Sequence, residues 1–297
     1  MIQKKLFLSL SLISLCILIS ITLLAGLAGF SWLDLLPRPQ PKPASQELFQ
    51  GVSYIREVRR SPRPMVIHIV IVDLRSDGIR FLVTPGEPKA EHSLKARTTS
   101  EFLDDYGVQV AINGSGFTPW HSNSLLDYYP HSGDPIEPIG LAASQGSIYA
   151  ENTEEQPVLY LSRTNQARFG IPTGKIYNAL SGNVMLVQDG HVLPGLEGEI
   201  QPRTAIGVDQ RSRRLIIVVV DGRQPRYSEG ASLAELAEIL ISKDAYTAMN
   251  LDGGGSTTLV TEQGGRASVL NSPINNGIPG RERPVGNHLG IFANELK

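Results

Sequence analysis

Residues 203–220 read RTAIGVDQRSRRLIIVVV, two apolar runs around a charged turn. Thr204 to Val208 and Leu215 to Val220 are rich in β-branched residues, a composition that predicts two adjacent strands. The second run is apolar at every position, as in a strand covered on both faces. Working outward, Val66 to Val72 is another continuous run of this kind. Ile79 to Val83 follows it after Ser76-Asp77-Gly78, a turn-forming triplet, and the two predict a hairpin. Thr98 followed by Glu101 makes a capping box that opens a short helix through Phe102, Leu103 and Tyr106, ended by Gly107. Val108 to Ile112 is then a strand that delivers Asn113-Gly114. Ser232 and Glu235 repeat the capping pattern, and Leu233, Leu236, Ala237 and Leu240 fall on one helical face. Ala248 to Leu251 reads as a short strand, and Thr257 to Val260 follows three glycines. Strands and helices mix without regular alternation. The expected fold class is therefore α+β, a single mixed α/β domain over residues 51–297 with a central multi-stranded sheet.

Residues 1–36 have a different character. Lys4 and Lys5 precede an uncharged stretch from Leu6 to Leu33, and the next charge is Asp34. A run of this length suits an N-terminal transmembrane helix acting as a signal anchor, with the lysines on the cytoplasmic side. The alternative is a signal peptide cut near Gly26-Leu27-Ala28. Either reading exports the domain, as a membrane-anchored extracytoplasmic (periplasmic or extracellular) protein or, after cleavage, a secreted one. Residues 37–50 begin PRPQPKP and read as a proline-rich linker that spaces the domain from the bilayer.

Composition narrows the chemistry. The 297 residues carry 27 Lys and Arg against 29 Asp and Glu, a formal net charge of −2. That balance gives no basic footprint for nucleic acid, so none is expected as a partner. Cys16 is the sole cysteine, which excludes an intramolecular disulfide and a Cys-based zinc site. No pair of histidines has metal-ligand spacing, and His68, inside an apolar run, reads as a hydrogen-bonded core histidine.

Polar residues cluster where apolar strands end. Val218-Val219-Val220 runs into Asp221-Gly222-Arg223. Met249-Asn250-Leu251 runs into Asp252-Gly253-Gly254-Gly255-Ser256, and Val110-Ala111-Ile112 into Asn113-Gly114. A polar group at a strand end sits on rigid scaffold and faces a cleft, as a catalytic group must. Each Asp-Gly also has a plainer reading, as a turn in which the carboxylate caps its own backbone. The run of three glycines followed by Ser256 and Thr257 favours the functional reading at Asp252, since such backbone lies close to a ligand and turns N–H groups toward an anion. It lacks the lysine of a phosphate-binding P-loop and does not match the dinucleotide fingerprint. Arg203, Arg223 and Arg283 accompany these strand ends, and guanidinium suits phosphate oxygens in a two-pronged geometry. The stretch WHSNSLLDYY, Trp120 to Tyr129, with His121 in it and His131 beyond, combines aromatic and polar groups. It reads equally as a sugar-stacking surface and as a packing loop.

Taken together, Pro202-Arg203-Thr204-Ala205-Ile206-Gly207, Val220-Asp221-Gly222-Arg223 and Asn250-Leu251-Asp252-Gly253-Gly254-Gly255-Ser256-Thr257 resemble the phosphodiester glycosidase family. Ala111-Ile112-Asn113-Gly114 with Phe117, Leu180-Ser181-Gly182 and Arg283-Pro284-Val285 extend the resemblance over roughly residues 95 to 293. It implies a mixed α/β catalytic domain that hydrolyses a sugar joined through its anomeric carbon to a phosphodiester. It also implies an envelope setting near exopolysaccharide metabolism. Where the family reads Asn-Gly-Gly-Phe-Phe, this chain has Asn113-Gly114-Ser115-Gly116-Phe117, one aromatic fewer, and the stretch Thr118 to Pro138 is longer. Both changes bear on which sugar is bound.

A glycosyl phosphodiester has an acidic leaving group, so its cleavage needs a cationic clamp and a carboxylate at the reacting carbon more than a general acid. The expected assignments are Asp252 and Asp221 as catalytic carboxylates and Arg203, Arg223 and Arg283 as the clamp. Thr204, Asn113, Gly114, Gly253, Gly254, Ser256 and Thr257 are expected to contact substrate. A divalent cation, Ca²⁺ or Mg²⁺, between the two carboxylates is compatible with their hard oxygens, and no other cofactor is expected. The alternative is a non-catalytic envelope module that binds anionic polysaccharide in the same cleft.

Overall fold

The computed structural model describes residues 14–22, 38–87, 93–124, 127–153, 155–172 and 174–296. Contacts divide the chain into two units, Met1–Arg38 and Pro39–Lys297. In the first, residues 14–22 are helical. No helix among the described residues is long and apolar enough to cross a membrane. Most of the uncharged stretch expected to do so, residues 6–13 and 23–33, lies outside the described residues.

The second unit is mostly sheet, with two α-helices among its described residues. Its largest sheet has eight strands, in the spatial order Ala44–Phe49, Val52–Arg59, Met65–Asp73, Arg214–Val220, Arg203–Asp209, Ala245–Asn250, Val184–Gln188 and His191–Val192. Every neighbouring pair in it is antiparallel. The expected pairing at residues 203–220 is present, with Arg203 opposite Val220 and Val208 opposite Leu215. A five-stranded sheet faces it, ordered Arg266–Val269, Leu259–Gln263, Val110–Asn113, His288–Phe292 and Arg80–Val83.

Alternation along the strands explains the layering. Val70, Val72, Ile217, Val219, Ile206 and Met249 point from the large sheet into a core shared with Val110, Ile112, Leu289 and Ile291 of the facing sheet. The intervening residues, Ile67, Ile69, Ile216 and Val218, point the other way and pack under Leu236, Ala237, Ile239 and Leu240 of the Leu233–Ile241 helix. On the far side, Leu82, Ala111 and Val260 pack against Phe102 and Leu103 of the Thr99–Tyr106 helix. The order helix, sheet, sheet, helix is why the central strands are apolar on both faces. A second five-stranded sheet closes one flank of the shared core through Leu159, Leu161 and Leu180. Both helices carry the full capping box, Thr98 with Glu101 and Ser232 with Glu235. Each such cap stabilises its helix by about 1 kcal/mol.

The expected multi-stranded sheet is present with eight strands, and a second large sheet packs across the main core from it. Two expectations are corrected. Met65–Asp73 and Arg80–Val83 are not a hairpin, for the first pairs with Val52–Arg59 and Arg214–Val220 and the second with His288–Phe292, in different sheets. The linker assigned to 37–50 is largely part of the domain. Ala44–Phe49 is an edge strand on Val52–Arg59, and the Gln40 amide donates to the carbonyls of Arg59 and Tyr227, both at 3.0 Å. An edge strand with one face in water can be polar, so its composition hid it.

Candidate active site

Asn113 ends the central strand of the five-stranded sheet, and Asn250 ends a strand of the eight-stranded sheet. The Asn113 amide joins them. Its Nδ2 donates to the carbonyl of Asp252 at 2.8 Å, and its Oδ1 accepts from the Thr204 hydroxyl at 2.8 Å and the Thr258 N–H at 3.1 Å. Asp252 N donates in turn to the Gly114 carbonyl at 3.0 Å. Gly114 is compelled by contact, since a Cβ there would collide with Oδ1 of Asn287. The sandwich thus holds the Asp252 backbone from both sheets.

Beyond that point a cavity of about 700 Å³ opens, lined by Asp252, Gly253 to Gly255, Arg203, Arg223 and Arg283, with Phe117, Trp120 and Tyr128 on its aromatic side. Arg203 is 5% exposed, and its Nε and Nη2 donate to the carbonyls of Ala231 and Glu199 at 3.1 and 2.6 Å. Arg223 Nη2 donates to Gln201 Oε1 at 2.7 Å from a residue held at φ 57°, a left-handed conformation that costs about 1 kcal/mol or more outside glycine. Arg283 Nε donates to Asn275 Oδ1 at 3.1 Å, and its guanidinium lies 5.3 Å from the centroid of the Trp120 ring, in cation–π range. Trp120 in turn stacks on Tyr128, with centroids 5.8 Å apart. Among the described residues none of the three guanidinium groups forms an ion pair with a carboxylate within 4.0 Å.

Charge and burial act on one another here. Burial lowers the proton affinity of Arg203 and Arg283; the Asp252 charge opposes this at Arg283 and the Glu199 charge at Arg203, while the neighbouring Arg223 cation lowers both further. Burial also raises the Asp252 carboxyl above the ordinary aspartate range, opposed by a hydrogen bond from Ser256, the Arg283 charge and the N–H of Gly253. The Gly253 bond runs to Oδ1 at 2.9 Å. An anion entering the cavity would relieve the repulsion among the arginines. The only carboxylate lining the cavity among the described residues is Asp252.

The structure therefore brings together Asp252, Arg203, Arg223, Arg283, Gly253 and Gly254, from four stretches of chain. It does not bring Asp221 with them. That carboxylate is fully buried and does not line the cavity. Oδ1 accepts from Ser272 N at 2.8 Å and Asn271 Nδ2 at 3.1 Å, while Oδ2 accepts from the Tyr227 hydroxyl at 3.1 Å and lies 3.1 Å from His68 Nε2. Asp221 thus anchors Asn271 and Ser272, at the start of the segment that carries Asn275, the acceptor of the Arg283 bond. No group of three or more metal-ligating side chains occurs among the described residues. His68 is the hydrogen-bonded core residue expected, with Nδ1 2.8 Å from the Tyr54 hydroxyl.

Asn113, Gly114 and Thr204 support Asp252 from behind and do not line the cavity. Neither do Ser256 and Thr257, though Ser256 reaches the Asp252 carboxylate. The glycine run acts differently from an anion cradle. Gly253 N–H goes to Asp252 and Gly254 N–H to the Pro202 carbonyl at 2.9 Å, so two of its three donors are engaged. What the run supplies is room, because a Cβ on Gly255 would collide with Nη2 of Arg283. Sequence reasoning missed Gln156, Asn183 and Gln201 in the cavity wall. Gln201 adjoins Pro202-Arg203, and that adjacency was the available signal; Gln156 and Asn183 sit in loops that carry none. Asn250 also lines the wall, and its buried Oδ1 accepts no hydrogen bond from the described residues.

A partly buried carboxylate among three guanidinium groups, with stacked rings alongside, suits an anionic ligand that carries an apolar face. The sequence comparisons agree in class. The sequence model of the phosphodiester glycosidase family matches residues 106–292, and the chain belongs to that family, a family of hydrolases. It is 28% identical over 193 residues to N-acetylglucosamine-1-phosphodiester alpha-N-acetylglucosaminidase of Bos taurus, covering 60% of this chain and 36% of that one. To the Mus musculus protein of the same name it is 33% identical over 173 residues, 52% of this chain and 32% of the other. The chain thus spans about a third of the length of these relatives. The fold is also that of the zebrafish enzyme's catalytic domain, solved in a state auto-inhibited by its pro-peptide. That match has TM-score 0.58 and 22% identity, over 88% of this chain and 87% of that one. A hypothetical protein from Synechocystis has the same fold, with TM-score 0.63 and 16% identity, over 86% and 64% of the two chains.

Proposed function

We propose that this chain hydrolyses a sugar-1-phosphodiester, cleaving the glycosyl–phosphate bond on an envelope glycan or glycoconjugate. The observation that carries the proposal is the gathering in one cavity of one carboxylate, Asp252, and three arginines that form no ion pair within 4.0 Å among the described residues. The substrate class also follows the name of the relatives, which act on an N-acetylglucosamine-1-phosphodiester. In this reading the guanidinium groups of Arg203, Arg223 and Arg283 hold the phosphate and stabilise the charge it gains as the C1–O bond breaks. Asp252 faces the anomeric carbon, where its carboxylate supports the developing positive charge and the entry of water. One water is consumed: its hydroxyl joins C1, its proton is released, and the phosphate leaves as a monoester. Trp120 and Tyr128 offer ring faces to the sugar, and Asn250 Oδ1 accepts from one of its polar hydrogens.

Lys4, Lys5 and the uncharged stretch that follows support an extracytoplasmic location, with the domain anchored in the membrane or released after cleavage. Hydrolysis of a panel of sugar-1-phosphodiesters in ¹⁸O-labelled water tests the reaction. Label in the liberated sugar supports C1–O cleavage. Label in the phosphate identifies a phosphodiesterase instead, and saturable binding with no turnover of any substrate identifies a polysaccharide-binding module.

A further inference from the structure

A second cavity, of about 670 Å³, adjoins the first, and Gln156 lines both. The strand Val184–Gln188 runs from one to the other: Asn183, just before it, lines the first cavity, and Gln188, at its end, lines the second. Five strand residues span about 16 Å. The neighbouring strand repeats the relationship, with Asn250 in the first cavity and Tyr246 and Thr247 in the second. The two cavities therefore meet at Gln156 and lie along the same pair of strands.

The chemistry changes along that length. The first cavity is strongly cationic. The second presents three half-buried rings, Tyr160, Phe169 and Tyr246, together with the side-chain amides of Asn152, Gln188 and Gln210. Its charged lining nearly cancels. Arg168 and Asp189 are exposed and opposite in sign, and Asp209 is bound by the N–H groups of Arg213 and Arg214 and by the Arg214 guanidinium. Partly exposed rings interleaved with planar amides suit the apolar faces and hydroxyl edges of uncharged sugars, and they offer little to a second phosphate.

We propose that this second cleft binds an uncharged oligosaccharide continuous with the sugar phosphate in the first cavity, so that the protein acts on a glycan chain and not on an isolated sugar. The inference rests on the phosphate reading of the first cavity. The glycan enters from the sugar side or from the far side of the phosphate, and the chemistry of the cleft is the same for both.

Titration calorimetry on the full-length protein in detergent tests it. The ligands are the 1-phosphates and 6-phosphates of glucose and of N-acetylglucosamine, and maltotetraose, cellotetraose and chitotetraose, each carrying a phosphate at C1 of its reducing end or at a C6. At least one tetrasaccharide phosphate is expected to bind about tenfold more tightly than the matching monosaccharide phosphate, the scale of one stacked ring. The position of its phosphate tells which side the glycan occupies. Tyr246→Ala should abolish that gain while leaving monosaccharide phosphate binding unchanged. Gln188→Trp, at an exposed position on the rim, should do the same by filling the cleft, and it keeps the test open if Tyr246→Ala does not fold. Equal affinity of every tetrasaccharide phosphate and its monosaccharide counterpart overturns the glycan cleft alone. Failure of all the phosphates to bind overturns the phosphate reading and the cleft with it.

Discussion

Nδ2 of Asn113 donates to the main-chain carbonyl of Asp252 at 2.8 Å, tying the end of a strand in one sheet to the catalytic candidate that follows a strand in the other. The same side chain accepts from Thr204 and Thr258. Asn113→Ala should therefore act twice. It leaves a buried hydroxyl and a buried N–H unpaired, at a cost of roughly 1–3 kcal/mol seen in denaturant unfolding. It also loosens Asp252, which should lower kcat more than it raises KM, by about 10-fold or more. A loss of stability with unchanged kcat would confine Asn113 to a structural role.

Gly255→Ala separates clamp from fold. The added methyl meets the far end of Arg283, which can move, so the Tm should stay close to that of the parent. The displaced guanidinium should raise KM for a sugar-1-phosphodiester about 10-fold, in line with loss of a charge-assisted hydrogen bond. Arg203→Lys should likewise lower kcat/KM, because the charge stays and the fork is lost. Kinetics of both variants matching the parent would remove these arginines from phosphate recognition.

Asp221→Ala predicts the opposite pattern. It strips partners from Ser272 N–H, the Asn271 amide, the Tyr227 hydroxyl and His68 at once. A loss of about 3 kcal/mol or more is expected in equilibrium unfolding, since breaking a buried polar network costs that much. Protein that remains folded at low temperature should keep kcat within a few-fold of the parent. A stable but inactive variant would return Asp221 to the chemistry.

These contrasts mark what the sequence carries and what it does not. Capping boxes at Thr98 and Ser232 are local hydrogen-bond patterns, so they read correctly. The strand pair flanking residues 209–214 is local as well. Sheet membership is not: Val66–Val72 and Ile79–Val83 are apolar because each is sandwiched, and apolar content says nothing of which neighbour a strand pairs with. Asp221 shows the same limit at the site. Val219 pairs with His68, so strand alternation places Asp221 on the inward face that His68 shares. That parity needs the strand pairing, so the inward turn of Asp221 was not legible in the sequence. That Asp252 and the arginines would share one cavity was legible because glycine, carboxylate and guanidinium gather at strand ends whatever the pairing.

Asp252 should also mark the pH profile. Burial raises its carboxyl, so if the ionised form is the active one, the acid limb of kcat/KM should lie above the ordinary aspartate value of about 4. Stability follows with a fixed sign. A carboxyl raised on folding binds its proton more tightly in the native state, so its contribution is greatest below the unfolded value and is lost as pH rises through the folded one. Asp252→Asn should then gain Tm relative to the parent between about pH 4 and neutrality, measured by thermal melts across that range. A Tm difference independent of pH would contradict the desolvated carboxylate.

The central claim is that the Asp252 carboxylate, set among Arg203, Arg223 and Arg283, performs the hydrolysis. Single-turnover and steady-state assays of Asp252→Asn on a sugar-1-phosphodiester test it most directly. The account predicts a folded protein that still binds the substrate and turns it over at least about 100-fold more slowly, the loss typical of a positioned catalytic group. Turnover equal to that of the parent would contradict it.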